Sequence, residues 1–401
     1  MKHRQIKISF ITLFTIGITA CTKPYAPPPI NAVTGYLVVE GVINAGNNAS
    51  SVFRLNRVVN LDSTSNAPVI NAQVSIQGKD NTSYTLTGDS AGVYTSAPLQ
   101  LSSSGQYRIY IKTSNGEEYS SAYEAVKVTP SIDTIAHVIE SNGVQLNLNT
   151  HDPNNDTRYY RWDYSETWEF HSMYDSEYIS NGDTVLGRPA SEQVYYCFAS
   201  DSSTSILLGS SAKLVQDVIS TAPIAFVPAG SEKIEKEYSI IVHQYALTSD
   251  AYNFWANLKK NTEQLGSIFD AQPSQIYGNI QCITNPKEPV IGYISASTIQ
   301  SKRIFIDGST LPNWRTTYPY NCGLDTTLFV RHFLGGGVIY EEDLYFNYLK
   351  GAAGTDYLPI SPVFDPVSGA LIGHMRSTTF CADCTIRGTT KFPAFWPFKY
   401  Y

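Results

Sequence analysis

Hydrophobic and polar residues alternate with a period of two along most of this chain, the pattern of strands that bury one face. Such runs recur at Tyr36–Ile43, Ser51–Val59, Val69–Gln77, Ser83–Thr87, Gly92–Thr95, Gln106–Thr113 and Glu118–Val128. Val74 and Ile76 alternate with Ser75 and Gln77, and Tyr107, Ile109 and Ile111 alternate with Arg108, Tyr110 and Lys112. Each strand therefore offers one face to a core. Turn-forming clusters at 88–92 and 114–117 separate the runs. Short strands at this density predict an immunoglobulin-like β-sandwich over residues 35–128.

Past Thr129-Pro130-Ser131 the alternation resumes, predicting a larger β-rich domain over 129–401. Thr134–Ser141, Val144–Asn149, Lys213–Phe226, Tyr238–Leu247, Ile291–Ser297 and Lys302–Asp307 are strand-like, whereas Gly182–Ser210 reads as irregular. One stretch changes period: Ala251, Phe254, Trp255 and Leu258 share a face at 3.6 residues per turn. A packed helix near 249–265 is expected, opened by Ser249 and stopped by Gly266. A second, shorter helix over Leu344–Leu349 would be capped by Glu341-Glu342-Asp343. The fold class is all-β, with one or two short helices.

The N-terminus follows a different logic. Lys2, Arg4 and Lys7 precede the apolar run Ile8–Thr19, and small Ala20 precedes Cys21, the pattern of a signal peptide over 1–20 ending in a lipobox. The run is far shorter than the roughly 20 residues a spanning helix needs. Cys21 is the expected lipidation site, and several acyl chains anchor stably where one is marginal. Residues 21–34, with Pro24, Pro27, Pro28 and Pro29, read as an extended tether.

Composition agrees with an exported β protein: Tyr occurs 28 times, Met three times, and charged residues make up 16%. Without Lys2, Arg4 and Lys7 the 28 cations fall to 25 against 35 acids, a balance that argues against nucleic acid or electrostatic attraction to an anionic membrane. Besides Cys21 there are Cys197, Cys282, Cys322, Cys381 and Cys384, an odd number that leaves at least one thiol unpaired within the chain. Cys381-Ala-Asp-Cys384 has the spacing of a redox dithiol or half a zinc site. No second such pair accompanies it, and it lies far from the N-terminus of a βαβ unit, so structural disulfides are the favoured reading. The sequence calls for no cofactor and no metal.

Two features carry candidate chemistry. The strand Arg158–Phe170 alternates aromatic and polar residues, and Tyr160, Trp162, Tyr164 and Trp168 make a candidate glycan- or peptide-binding face. Glu166 and Glu169, followed by Asp175 and Glu177, raise the alternative of a carboxylate-dependent glycoside hydrolase. Gly88-Asp-Ser-Ala-Gly92 has G-x-S-x-G spacing but reads as a turn between two strands, no H-E-x-x-H pattern is present, and the histidines are scattered.

Leu37-Val-Val-Glu-Gly41, Tyr159-Tyr-Arg-Trp162, Glu166-Thr-Trp-Glu169, Gln244-Tyr-Ala-Leu247, Tyr252-Asn-Phe-Trp255, the run 259–270, Gln272-Pro-Ser-Gln275 and Cys381-x-x-Cys384 with Arg387-Gly388 and Phe395-Trp396 carry a resemblance. On these motifs the chain resembles the outer-membrane lipoproteins grouped as domain of unknown function 4249. The resemblance implies a lipoprotein of a Bacteroidota-type outer membrane, often encoded beside TonB-dependent transporters, and it brings no catalytic residues. The function it implies is a non-enzymatic, lipid-anchored accessory that docks on such a β-barrel transporter and aids nutrient capture. The residues after Cys21, Thr22-Lys23-Pro24, lack the acidic character often found on surface-exported lipoproteins, which leaves the cell-surface and periplasmic faces both open.

Overall fold

Strand β1 (Leu37–Asn44) turns Leu37, Val39 and Ile43 into a core, and Gly41 keeps that alternation free of a clash. A Cβ at Gly41 would lie 2.4 Å from the Phe53 ring, and its φ of +152° suits glycine. Val52–Arg57 (β2), Gln73–Gly78 (β3), Ser83–Gly88 (β4), Val93–Ser96 (β5), Gln106–Lys112 (β6), Glu118–Ser121 (β7) and Glu124–Ala125 (β8) follow. Seven runs are expected from the alternation and eight strands form in that order, because the last run, Glu118–Val128, splits into β7 and β8. A computed structural model describes residues 35–59, 67–263, 278–318, 321–348 and 356–397. The expected signal peptide, Cys21, the tether and Gly266 lie outside the described residues.

The second unit continues with Ile132–Glu140 (β9), Gly143–Asp152 (β10), Tyr159–His171 (β11), Tyr178–Ser180 (β12), Val185–Gly187 (β13), Tyr196–Ser202 (β14), Leu207–Ser210 (β15), Asp217–Pro228 (β16) and Glu237–Ala246 (β17). Residues 182–210, expected to be irregular, therefore hold three strands and part of a fourth element's hairpin; β14 and β15 are recruited by the long β11, which templates both of them along one edge. The sheet β16-β10-β9 faces the sheet β14-β11-β17. Val144, Leu146 and Leu148 from one side and Tyr160, Trp162, Phe170, Ile240 and Val242 from the other meet in a shared core.

Helix α1 (Ser249–Glu263) comes next. Its cap is Thr248, whose Oγ1 accepts from Ala251 N at 3.2 Å, one residue before the expected Ser249. Ala251 and Phe254 are buried, and Trp255 and Leu258 pack beside them. They touch Tyr245, Tyr159 and Ile299 of the second unit and also Val42 and Tyr293, so the helix is wedged between both units and not only against the second.

Beyond α1 the chain returns to the first unit. Ile280–Cys282 (β18) pairs with β7, and Ser295–Ser297 (β19) pairs in parallel with β1. Ser297 also bridges Lys127, two residues past β8, so the path β1-β2-β5-β4-β3-β6-β8 closes on itself through β19. The first sandwich is therefore not complete at residue 128: Ile280, Val290, Ile294 and Ala296 fill its core. Alternation marks Ile291–Ser297 as a strand but carries no sign that its partner is β1, which is why the expected boundary at 128 falls too early. Ile299–Asp307 (β20) then joins the edge of β17.

A third sheet, β21-β25-β24, is built from Asp325–Leu328 (β21), Tyr357–Phe364 (β24) and Leu371–Thr378 (β25), with a separate two-stranded hairpin of Arg331–His332 (β22) and Val338–Ile339 (β23). Asp343–Tyr348 is helical but wound as a π-helix. Cys322 bonds to Cys381 and Cys197 to Cys384, and Cys282 is free and buried. The two cysteines of C-x-x-C are thus not partners of one another: Cys384 fastens the C-terminal segment to β14, and Cys381 fastens the loop before the third sheet. No helix among the described residues is long and apolar enough to cross a membrane.

Candidate functional site

Strand β11 decides where each candidate residue of the sequence lies. Its even-numbered side chains face the core and its odd-numbered ones face away, as a period of two requires. Tyr160 is fully buried and Trp162 is 2% exposed, so the proposed ligand-binding aromatics are core residues. Tyr160 Oη donates to Asp217, and Trp162 Nε1 donates to Gln244 Oε1 at 2.8 Å, so their polar tips are satisfied inside the protein. Tyr164 packs against the same core, and Trp168 is buried under the Lys233 ammonium, 4.7 Å from its ring centre. The alternation was read correctly and its aromatic side assigned to the wrong medium: such large rings supply the area that a two-sheet core needs.

The carboxylates separate for the same reason. Glu166 and Glu169 are an odd number of residues apart and project to opposite faces. Glu166 is 6% exposed, ion-paired with Lys233 and bonded by Tyr238 Oη at 2.8 Å. That contact and burial push the Tyr238 phenol far up, burial being the larger cause. Glu166 is therefore committed to holding the sheet together. Glu169 faces the other way, into a cleft.

The cleft, about 850 Å³, opens at the end of the outer face of β11, β17 and β20. Along β11 and β17 the register runs to Trp168 opposite Tyr238, which sets Glu169 beside Glu237, and Glu237 in turn pairs with Asp307 of β20. Three carboxylates thus lie in one row across three adjacent strands. Like charges placed opposite one another on a sheet repel. Burial first, then Asp307 and Glu169, raise the Glu237 carboxyl from 4.5 to about 7. Near neutral pH this side chain can both donate and accept a hydrogen bond. Among the described residues no group of three or more His, Cys, Asp or Glu is arranged to hold a metal ion, so the acids form a row and not a coordination shell.

The walls come from far along the chain. Residues 309–318 bring Ser309, Trp314, Arg315 and Tyr318, and the C-terminal segment brings Trp396. Trp396 is held edge-on to Phe198 at 5.1 Å and to Phe305 at 5.5 Å. Its segment lies on β14 because Phe198 and Thr389 exchange backbone bonds at 2.8 and 2.9 Å beside the Cys197–Cys384 disulfide. Gly388 allows that approach: a Cβ there would sit 2.5 Å from Phe198 O. Glu235, which also lines the cleft, is bonded by His171 Nε2 at 3.0 Å. Burial works against the imidazolium, but the bonds to Glu235 and the Ser172 carbonyl outweigh it and raise the pKa.

Glu237, Asp307, Trp314 and Trp396 were not singled out in the sequence. The aromatic run Phe392–Phe398 was a visible signal for Trp396. The acid row had none, because it exists only once the β11, β17 and β20 registers are set.

Comparisons with known proteins give one family and little else. A search of curated proteins found no match. Among solved structures, one titled as manganese lipoxygenase of Gaeumannomyces graminis with partial zonadhesin of Komagataella pastoris is 10% identical over 54% of this chain and 90% of that one, with a TM-score of 0.17. The adhesin InvE of Yersinia pseudotuberculosis is 12% identical over 52% of this chain and 54% of that one, with a TM-score of 0.14. Scores this low bear on neither fold nor function. The model of the family described as a domain of unknown function, DUF4249, matches residues 22–303, both sandwiches and most of β20, and the chain belongs to that family.

Proposed function

We propose that this protein is a non-enzymatic, lipid-anchored outer-membrane accessory that docks on a TonB-dependent β-barrel transporter and gathers a glycan-class nutrient in the cleft beside Glu237. The observation that carries the reading is the acid row Glu169, Glu237 and Asp307 in a cleft whose wall includes the partly exposed Trp314. Carboxylates accept bonds from neighbouring sugar hydroxyls, a half-protonated one also donates, and indole rings stack on sugar faces. The intrachain disulfides support an exported location. Cys21 supplies the anchor.

Affinity purification of the native protein in mild detergent tests the docking; recovery without a β-barrel partner refutes it. A glycan array tests the cleft: binding lost in Trp314→Ala and Glu237→Ala supports it, and an array silent for the wild type refutes it. The raised pKa of Glu237 favours one second reading, a glycoside hydrolase with Glu237 as general acid and Glu169 or Asp307 as its partner. Turnover of a polysaccharide that Glu237→Gln abolishes would establish it, and a panel left intact would dispose of it.

A further inference from the structure

The third sheet ends in a surface unlike the rest of the molecule. From Arg331 the chain runs out into the β22–β23 hairpin, which pairs with no other described strand. His332 to Tyr340 are nine consecutive exposed residues, and none of them is Asp, Glu, Lys or Arg. Leu334 at the tip is 109% exposed, Tyr340 64%, and Phe333 48%, with Val338 and Ile339 also exposed. The tip is closed by Phe333 N bonding Gly337 O at 2.9 Å and Gly336 N bonding Phe333 O at 3.1 Å. Gly335 and Gly336 take positive φ there.

A second apolar loop leaves the same end of the sheet. Phe329 N bonds Ile372 O, and Leu371 pairs with Phe364, so the β24–β25 turn sits at the end where the hairpin departs. Phe364 and Val367 on it are exposed. Its one charge, Asp365, is tied into its own turn by Val367 N and Ser368 N. At the base of the hairpin, Arg331 is neutralised by Glu341. In a chain with 35 acids against 28 Lys and Arg, this end offers apolar side chains whose nearest charges are the paired Arg331 and Glu341 and an Asp365 held by backbone amides.

We infer that this apolar end is a lipid-contact site, and that the Phe333–Ile339 tip with Val367 enters the interfacial layer of a phospholipid bilayer. Charge selects that partner: an acidic protein is repelled by an anionic bilayer everywhere except where it presents a neutral apolar point. Shape selects it as well. A protein hot spot is a rigid, central, well-packed patch with a polar rim, whereas this is a projecting two-stranded hairpin on a triple-glycine turn. A bilayer demands no fixed complementary surface. Tyr340 and His332 stand at the base, where amphipathic rings suit the headgroup layer. The turn's own bonds satisfy Phe333 and Gly336, but the open backbone at Leu334 and Gly335 limits entry to the interface. The contact is independent of acylation at Cys21 and would set the protein's orientation on the membrane.

The test places an environment-sensitive fluorophore on the full chain at Leu334→Cys and, as control, at Val215→Cys, a 94% exposed position in the second unit. The protein is mixed with vesicles of phosphatidylethanolamine and phosphatidylglycerol. The expected result is a blue-shifted probe at 334, quenched by acyl-chain nitroxides and shielded from iodide, with a roughly tenfold preference for lipid, about what burying one large apolar side chain such as Phe333 supplies. The probe at 215 should stay in water. A probe at 334 as open to iodide as that at 215 overturns the inference. So does a probe shielded from iodide yet untouched by acyl-chain nitroxides, the signature of a protein partner or a second copy. Neither result bears on the cleft, whose ligand is assayed separately.

Discussion

Replacing Glu237 with glutamine should stabilise the protein above neutral pH and leave it unchanged near pH 4.5. The carboxyl is raised from 4.5 to about 7 by burial, then by Asp307 and Glu169. A folded-state pKa above the unfolded one means that the folded protein holds the proton more tightly. The stability this gives is fully present below the unfolded value and is lost as pH rises through about 7. At about 1.4 kcal/mol per pH unit, full ionisation would cost roughly 3 kcal/mol. The side chain is partly exposed, and water screens it, so about 1–2 kcal/mol is the expected loss. Glutamine keeps the shape and removes the charge. Melting curves of wild type and Glu237→Gln at pH 4.5, 6, 7 and 8 should diverge progressively, and subtraction cancels groups such as Glu235, whose pKa moves the other way. A difference independent of pH, or a variant less stable at pH 8, refutes the account of the acid row.

Other substitutions separate core from cleft. Trp162→Ala should cost about 3–5 kcal/mol in urea unfolding, as a core tryptophan does, while any glycan affinity measured on the folded fraction stays unchanged. Glu166→Ala strands Lys233 and Tyr238 and should destabilise by about 3–5 kcal/mol, whereas the hydrolase assignment of that residue would instead show lost turnover at unchanged stability. Opening the disulfides, which span 187 and 59 residues, should cost about 2–5 kcal/mol each. Hydrogen exchange on the reduced protein should show that loss in β14 and β25 and leave β1 to β6 protected.

The strands of the first unit were legible almost residue by residue, because one face of each is buried and a period of two records that fact. What failed was long-range. Nothing local in Ile280–Cys282 says that it pairs with Tyr119–Ser121, nor in Glu237 that Glu169 and Asp307 flank it. The face of β11 shows a third limit. Alternation reveals that Tyr160, Trp162, Tyr164 and Glu166 share a side, yet not whether that side meets water or another sheet. Aromatic content weighs toward the core, since the sheet that carries β10 packs over that face of β11.

The cleft itself is assembled from two parts of the chain with different standing. Glu169 and Glu237 lie within the matched span 22–303, on strands whose other faces build the core. Asp307, at the end of β20, lies just beyond it, and Trp314 and Trp396 lie further on, on a loop and a tail. The tail reaches the cleft only because Cys384 is bonded to Cys197 and Gly388 lets the backbone lie against β14. The floor is thus a by-product of sheet register, fixed by the same residues that fix the fold, and it can change little without unfolding. The walls are fastened through Leu311, Trp314 and Trp396, and their exposed residues are free to change. Selectivity for a ligand should accordingly reside in the exposed residues of 309–318 and 389–397, and exchanging those while keeping Leu311, Trp314 and Trp396 should alter what the cleft takes while the melting transition of the two sandwiches stays where it is.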